Sequence, residues 1–435
     1  VVILSVLLFP AVDSIGVNYG TLADNLPPPL EVAHFLRDRT TIDRVKIFDI
    51  NPDILRAFAG TGISVAVTVP NGDIPSLTDA GNAQRWVAAN IQPFYPQTKI
   101  DSILVGNEIL HWGPQNLRDS LVAAMRTLQR ALVAAGVGGI NVTTAHSLGI
   151  LESAQPPSLA RFRPGWDTGV LAPVLQFHRE TKTPFMVNPY PYFGYDPNNA
   201  NFSLFLPNSG FFDKLSRRTY GNMFDMLMDA VFVSMKRLGY GDVDIAVGET
   251  GWSSLGEAFE QPRCSQQNAE AYVAGLVKKY ESGRGTPLMP RRSFQTYLFA
   301  LFNEDQKQGP LSERNFGLFR PDLVPVYNAG IMRTAAASTT PPLVVGVGVG
   351  VGEKKRWCVP KPGATSAALQ DNIDYVCSQP NLDCTPIQPG GACFDPNTAA
   401  AHASFVMNSF YQRSGRHDFN CYFSGTGILT YADPS

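Results

Sequence analysis

Short apolar runs alternate with amphipathic stretches up to about Met332. Ile15–Gly20, Arg44–Asp49, Ser64–Pro70, the run Ile103–Val105 within Lys99–Trp112, Asn141–Leu148, Pro184–Phe193, Ile245–Val247 and Ser293–Glu304 read as strands. Pro27–Arg39, a short segment from Pro52, Asn82–Ile91, Gly113–Ala135, Phe224–Leu238 and Cys264–Tyr280 read as helices between them. The clearest is Gly113–Ala135. There Leu117, Leu121, Met125, Leu128 and Leu132 recur on one face, and Gly136 stands where a C-cap belongs. Strands separated by helices pair in parallel through right-handed crossovers. Eight such strands are the count of a closed (β/α)8 TIM barrel, predicted over residues 15–333. A doubly wound open sheet is the alternative, but no GxGxxG follows the first strand to favour it.

The pattern then changes. Residues 334–355 contain Thr334–Pro342 and the Val-Gly alternation of Gly346–Glu353, with neither a period nor core material, and read as a linker. Residues 356–435 form a small cysteine-rich module, of the size in which disulfides substitute for a large core. At the other end, Val1–Ser14 is almost wholly apolar to Val12, lacks an initiator Met and is too short to span a bilayer. It suits the remnant of a secretory signal peptide, a buried first strand being the weaker alternative. No other stretch is apolar and long enough to be transmembrane.

The 435 residues exceed one ordinary domain, and a barrel plus a module fits them better than equal halves. A formal net charge of −2 with 17% charged residues shows no nucleic-acid footprint. Five of the six cysteines, Cys358, Cys377, Cys384, Cys393 and Cys421, crowd into the module, and only Cys264 lies elsewhere. That density points to disulfides and an oxidising compartment. A zinc site competes, but no tight CxxC pair or HxxxH accompanies the cysteines. Asn141 and Asn201 open sequons and are candidate glycosylation sites.

Candidate chemistry comes from a repeated pattern. Ile245–Val247, Gly248, Glu249 and Trp252 echo Ile103–Val105, Gly106, Asn107, Glu108 and Trp112: an apolar strand, a glycine, a carboxylate and then a tryptophan. In a barrel these two carboxylates end the fourth and seventh strands, on the rim that carries barrel active sites. A solvated Glu at a strand end is the alternative for either alone. A facing pair is the minimal equipment for glycoside hydrolysis, with one carboxyl protonated and the other ionised. GxSxG is absent and the six His have no metal-ligand spacing, so neither a serine hydrolase nor a metal centre competes. No cofactor and no metal are expected.

GVNYG (Gly16–Gly20), VGNE (Val105–Glu108), NPYPYF (Asn188–Phe193), VGETGW (Val247–Trp252), FNEDQK (Phe302–Lys307) and ERNFGLF (Glu313–Phe319), in that order, resemble the plant endo-1,3-β-glucanases of glycoside hydrolase family 17. VGETGW is the most specific piece, although the family pattern has Pro where Ser253 stands here. The resemblance implies a retaining enzyme with Glu249 as nucleophile and Glu108 as general acid/base. It implies support from Asn107, which would bond a sugar hydroxyl or Glu249, and from Glu304 and Lys307. Lys307 would keep Glu249 ionised, since a neighbouring cation favours the carboxylate; a surface i,i+3 ion pair with Glu304 is the alternative. Tyr19, Tyr190, Phe193, Trp252 and Glu313 are candidate substrate-binding residues, with an ordinary core role as the alternative for Tyr19, Tyr190 and Phe193 and a structural role for Glu313.

WCVPKPGA, LQDNIDYVC, GGACF, HASFVMNSFYQ and FNCYFSG of the tail resemble the family 43 carbohydrate-binding modules that follow such glucanases. By that resemblance Cys358 pairs with Cys421 and Cys377 with Cys384. Cys393 is left to a sixth cysteine expected beyond Ser435. Some members carry a lipid-anchor signal there, and no residue here argues for or against one. The resulting expectation is a secreted monomer, in the extracellular space or cell wall, whose partner is 1,3-β-glucan and not nucleic acid. A wall-glucan-binding protein with lost activity and a hydrolase of mixed-linkage 1,3;1,4-β-glucan are the alternatives.

Overall fold

The computed structural model describes residues 15–333, 356–378, 382–413, 421, 423 and 426–430. The expected leader and linker, 1–14 and 334–355, fall outside them. The chain divides into two compact units near residue 336.

The first unit is a closed parallel barrel. Its strands are β1 (Ile15–Tyr19), β2 (Arg44–Ile47), β3 (Ser64–Val69), β4 (Lys99–Asn107), β5 (Asn141–Ser147), β6 (Phe185–Asn188), β7 (Ile245–Thr250) and β8 (Thr296–Leu298). They are ordered round the ring as in the sequence, and β1 closes it by pairing with both β8 and β2. Seven helices cover the outside: α1 (Pro29–Arg39), α2 (Pro52–Ala57), α3 (Ala80–Asn90), α4 (Gln115–Ala134), α5 (Ala172–Thr181), α6 (Met223–Arg237) and α7 (Gln266–Glu281). The barrel prediction and all eight strands are found. Among the described residues no helix is long and apolar enough to cross a membrane.

Each element follows from its sequence. In α4 the apolar stripe Leu117, Leu121, Met125, Leu128 and Leu132 is buried. Each fully buried Leu there contributes roughly 1.5–3 kcal/mol. The helix stops where Gly136 takes φ +75°, with Gly136 N–H donating to Val133 O and Val137 N–H to Leu132 O, the paired bonds of a left-handed C-terminal cap. Inside the ring, Ala66, Leu104, Ala145, Met186, Ala246 and Tyr297 make a small separate core. Intervening strand residues such as Val17, Val45 and Val247 face the helix layer in the main core.

Several elements differ from expectation. The sixth strand is only Phe185–Asn188, not the whole of Pro184–Phe193, which goes on into a 3-10 turn at Pro191–Gly194. Helix α5 was not foreseen because Pro173 interrupts its apolar pattern; it occupies the first turn, where a missing N–H is harmless. The last strand is only Thr296–Leu298, not the whole of Ser293–Glu304. Beyond it the backbone folds across the mouth, with Leu301 N–H donating to Asn18 O and Phe302 bridging Phe319. Ladder pairing gives way there to loop contacts that deliver Phe299 and Glu304 to the opening.

In the second unit, α8 (Ser366–Cys377) and α9 (Ala399–Arg413) pack beside the antiparallel pair β9 (Trp357–Pro360) and β10 (Gly427–Thr430). The core is small, built on Leu369, Val376, Val406, Met407 and Tyr411. Bridges Cys358–Cys421 and Cys377–Cys384 form as the resemblance implied. Cys393 carries no bridge among the described residues, and Cys264 is a buried thiol of the barrel unit. Both sequon asparagines, Asn141 and Asn201, are exposed.

The Cys358–Cys421 bridge closes a separation of 63 residues, and chain entropy assigns such a loop about 4 kcal/mol. Reduction under native conditions is therefore expected to unfold the module while the barrel stays folded. Calorimetry of the full chain with and without reductant checks this: the transition lost should be the module's alone.

Candidate active site

The C-terminal ends of the strands open into a cleft of about 1060 Å³. Strict alternation would turn Glu249 away from it. Ala246 faces the interior, and a side chain on Gly248 would meet Met186 and Asn188 there, so residue 249 should point to the helices. Its register with β8 shifts between Val247 and Thr250. Thr250 takes the outward position, its hydroxyl 2.5 Å from the Tyr272 hydroxyl of α7, and Glu249 turns into the mouth. Bulges re-aim side chains in this way beside active sites. Gly251 is required next, because a Cβ there would lie 1.9 Å from Phe299 O.

Strand β4 uses the same device. Its register with β5 shifts between Leu104 and Asn107. Gly106 takes φ +73° and Glu108 φ 53°, and Glu108 N–H is held by Ala145 O at 2.9 Å. A left-handed conformation is uncommon for a residue with a Cβ. Here it begins a single helical turn, Ile109–Trp112, and sets Glu108 on the cleft wall.

The two carboxyls have different surroundings. Glu249, 7% exposed, accepts from Lys46 Nζ at 3.0 Å and from the Tyr190 hydroxyl at 3.1 Å. Lys46 is wholly buried and lies 4.0 Å from the Phe48 ring centre. A cation and a phenol thus both face the Glu249 carboxyl. Glu108 accepts from Asn188 Nδ2 at 2.8 Å and from the Trp112 indole N–H at 3.0 Å. Burial, and next the charge of Glu249, raise its pKa above the ordinary value, outweighing the opposite effect of those donors and Lys46. The two carboxyls are thus unequal: Glu249 faces a cation and a phenol, while Glu108 has neutral donors and a raised pKa.

Residues 15–331 match the model of glycosyl hydrolases family 17. The chain belongs to that family. It is a glycoside hydrolase, and residues 356–428 add an X8 domain. Aligned over 431 residues, this glycosidase is 51% identical to a glucan endo-1,3-beta-glucosidase of Triticum aestivum, covering 97% of this chain and 93% of that one. It is 44% identical to a glucan endo-1,3-beta-D-glucosidase of Olea europaea, covering 97% and 91%. Among solved structures it resembles a beta-1,3-glucanase and allergen of Cryptomeria japonica pollen, with TM-score 0.67, 38% identity, and 72% of this chain and 98% of that chain covered.

Of the residues expected at the site of this glycosidase, Asn107, Glu108, Tyr190, Phe193, Glu249, Glu304, Lys307 and Glu313 all line the cleft. Two aromatics do not. Tyr19 is buried against Phe302, because β1 turns Asn18 inward and Tyr19 outward. Trp252 is fully buried among Tyr192, Tyr195 and Tyr272, its indole N–H donating to Arg263 O. The bulge that turns Glu249 inward sends the chain after it into the core. Ser253, where the family pattern has Pro, is also buried, its hydroxyl within reach of Leu255 O and Ser312 O.

Lys307 needs a correction as well. Its Nζ lies 3.6 Å from Glu313 and over the Phe299 ring, and the cation on Glu249 is Lys46 instead. Lys307 acts through space on Glu304, which accepts from Leu22 N–H and whose pKa is raised, chiefly by burial. Gly20 leaves room for that carboxylate; a Cβ would sit 2.4 Å from its oxygens. Asn107 makes no bond to Glu249, and its side-chain oxygen is buried without a partner. Sequence reasoning missed Lys46 and Asn188. The available signal for Lys46 was a lysine between Val45 and Ile47, two residues that pack outward and so force it into the barrel. Among the described residues no cluster of His, Cys, Asp or Glu fits a metal ion.

Removing one partner of a buried ion pair strands the other charge, at a cost of about 3–5 kcal/mol. Lys46→Met is expected to destabilise the barrel by about that much, and Lys46→Met with Glu249→Gln to recover most of it. Urea unfolding of the two single variants and the double variant checks this through their coupling energy.

Proposed function

We propose that this chain is a secreted, retaining endo-hydrolase of 1,3-β-glucan, with Glu249 as nucleophile and Glu108 as general acid/base. The observation that carries the chemistry is the unequal pair: Glu249 between Lys46 and Tyr190, and a half-buried Glu108 with a raised pKa. The substrate follows the names of the relatives, glucan endo-1,3-beta-glucosidases of 44–51% identity over nearly the whole chain. Disulfides in the module support export to an oxidising compartment. The X8 match supports a module that binds the same polysaccharide.

In the first step a Glu249 oxygen attacks the anomeric carbon. Glu108 gives its proton to the bridging oxygen, and the leaving chain departs as an alcohol. In the second step Glu108, now ionised, takes a proton from water while that water's oxygen attacks the same carbon and releases Glu249. Two inversions retain the anomeric configuration, and the geometry requires carboxyls about 5–5.5 Å apart. Asn107, Glu304 and Lys307 line the cleft with the two carboxyls, and Tyr190 and Phe193 line the path of the sugar rings.

Glu249→Ala is expected to lose at least ~10³-fold of the reducing-sugar release from laminarin under conditions where circular dichroism shows it folded, although stranding the Lys46 charge also lowers its stability. The first product seen by NMR from the wild type should be the β anomer. A first α anomer would reject retention, and preference for mixed-linkage over 1,3-linked glucan would reject the substrate assignment.

The raised pKa of Glu108 has two consequences of opposite value. The alkaline limb of kcat/KM, which reports the proton on the acid, should lie above the ordinary carboxyl value of about 4.3. Between the ordinary and raised values the folded chain keeps a proton that the unfolded chain has lost, so stability falls as pH rises through that window. Glu108→Gln should abolish that fall, and be more stable than wild type above the window while nearly inactive. Urea unfolding across pH, beside the rate profile, measures both.

A further inference from the structure

The tryptophan that follows Glu108 has no part in the chemistry assigned above, yet its position is specific. Among the Phe, Tyr and Trp side chains on the cleft wall only Trp112 and Phe193 are largely exposed, at 73% and 65%. Trp112 is not loose. Its indole N–H donates to Glu108 Oε2 at 3.0 Å from the far end of one helical turn, and the His111 ring packs edge-on at 4.3 Å. The ring is thus held at its polar edge and open on a face. A lone exposed aromatic needs no explanation, but one fixed by hydrogen bond to the proposed acid is preorganised for contact with whatever reaches that acid.

Its side of the cleft follows from the ring of strands. Glu108 and Trp112 follow β4, Glu249 belongs to β7, and β5 and β6 stand between them. Asn188, which holds the other oxygen of Glu108, and Tyr190, which bonds Glu249, both follow from β6 and fill that interval. The sugar under attack must reach Glu249, and the bridging oxygen must reach Glu108. The sugar beyond that oxygen, on the leaving side, is the one nearest Trp112. A β-glucose ring presents flat C–H faces, and these stack on indole.

We propose that Trp112 is the platform for the leaving-side glucosyl unit, and that its indole N–H positions the Glu108 carboxyl for the bond that unit leaves. This deepens, and rests on, the glucan-hydrolase reading. It makes the single residue both a substrate contact and a positioning residue for the acid. An N–H donated to the carboxylate favours its ionised form, so the ring also moderates the rise in pKa that burial and Glu249 impose on Glu108. The other groups acting on Glu108, namely Glu249, Lys46 and Asn188, together with Tyr190 and His111 nearby, are untouched by substitution at 112.

Trp112→Phe and Trp112→Ala separate the two roles, and the exposure of the site keeps both variants folded, as their melting temperatures will show. The substrates are a laminari-oligosaccharide and β-laminaribiosyl fluoride, whose leaving fluoride has no face to stack and needs little proton donation. Trp112→Ala should lose about 10-fold or more in kcat/KM on the oligosaccharide and stay within about 2-fold of wild type on the fluoride. Trp112→Phe should hold its KM for the oligosaccharide. In both variants the alkaline limb of kcat/KM should move to higher pH, because the donor that favours ionised Glu108 is gone. Equal losses on the two substrates, an oligosaccharide rate within about 2-fold of wild type in Trp112→Ala, or an unmoved alkaline limb would each overturn the inference. Wild-type protein that cleaves neither substrate would overturn the hydrolase reading, and this inference with it.

Discussion

A residue on a closed barrel strand faces either the interior or the helices, and two strands of this chain break that rule where the carboxylates stand. In β7 and β4 the ladder slips at a glycine, and the next acidic residue is turned to the mouth instead of the wall. Closure of the ring is what makes the slip informative. With β1 bonded on both edges, no strand is free to move as a whole, so a local bulge changes one side chain and leaves the barrel intact. The remaining geometry of the cleft depends on those two slips: Gly251 against Phe299 O, Trp252 driven into the core, and Glu108 in a left-handed turn over Ala145 O.

Once two carboxyls share one cleft, their separate surroundings decide what each does. Glu249 has a buried cation and a phenol as donors. Glu108 has neutral donors only, Asn188 and Trp112, and burial raises its pKa. Taking Lys46 wholly out of water is unfavourable unless its charge is matched. Its place therefore follows from that of Glu249, and neither residue is well placed without the other. Glu304, held by the Leu22 N–H above a glycine, adds a third acidic group to the cleft floor, its own pKa raised by burial.

The two units rest on different physics. The barrel buries a large apolar layer between strands and helices, and its one free thiol, Cys264, is an ordinary core residue beside the Tyr192 hydroxyl. Among its described residues the module has two helices and one antiparallel pair around a small core, and it relies on bridges that restrict the unfolded chain. Cysteine usage followed this division closely.

What the sequence determined by itself is whatever local periodicity and residue chemistry encode. The eight strands, the helix Gln115–Ala134 with its Gly136 cap, the cysteine-rich module and the two Gly-plus-Glu strand ends were all legible, because each depends on neighbours within a few residues. Helix Ala172–Thr181 was hidden by Pro173, and the last strand was overextended, because an apolar run looks alike in a ladder and in a loop folded over a barrel mouth. The partners of the carboxylates were not legible in the same way. Lys46 and Glu249 are separated by 203 positions and Asn188 and Glu108 by 80, and only closure of the ring brings them within bonding distance. Nor did motif membership show direction: Tyr19 and Trp252 belong to the recognisable stretches yet face the core, while Trp112 faces the cleft. A strand's inward or outward sense flips at every bulge, and a bulge is a property of two paired strands, so only the tertiary structure decides it.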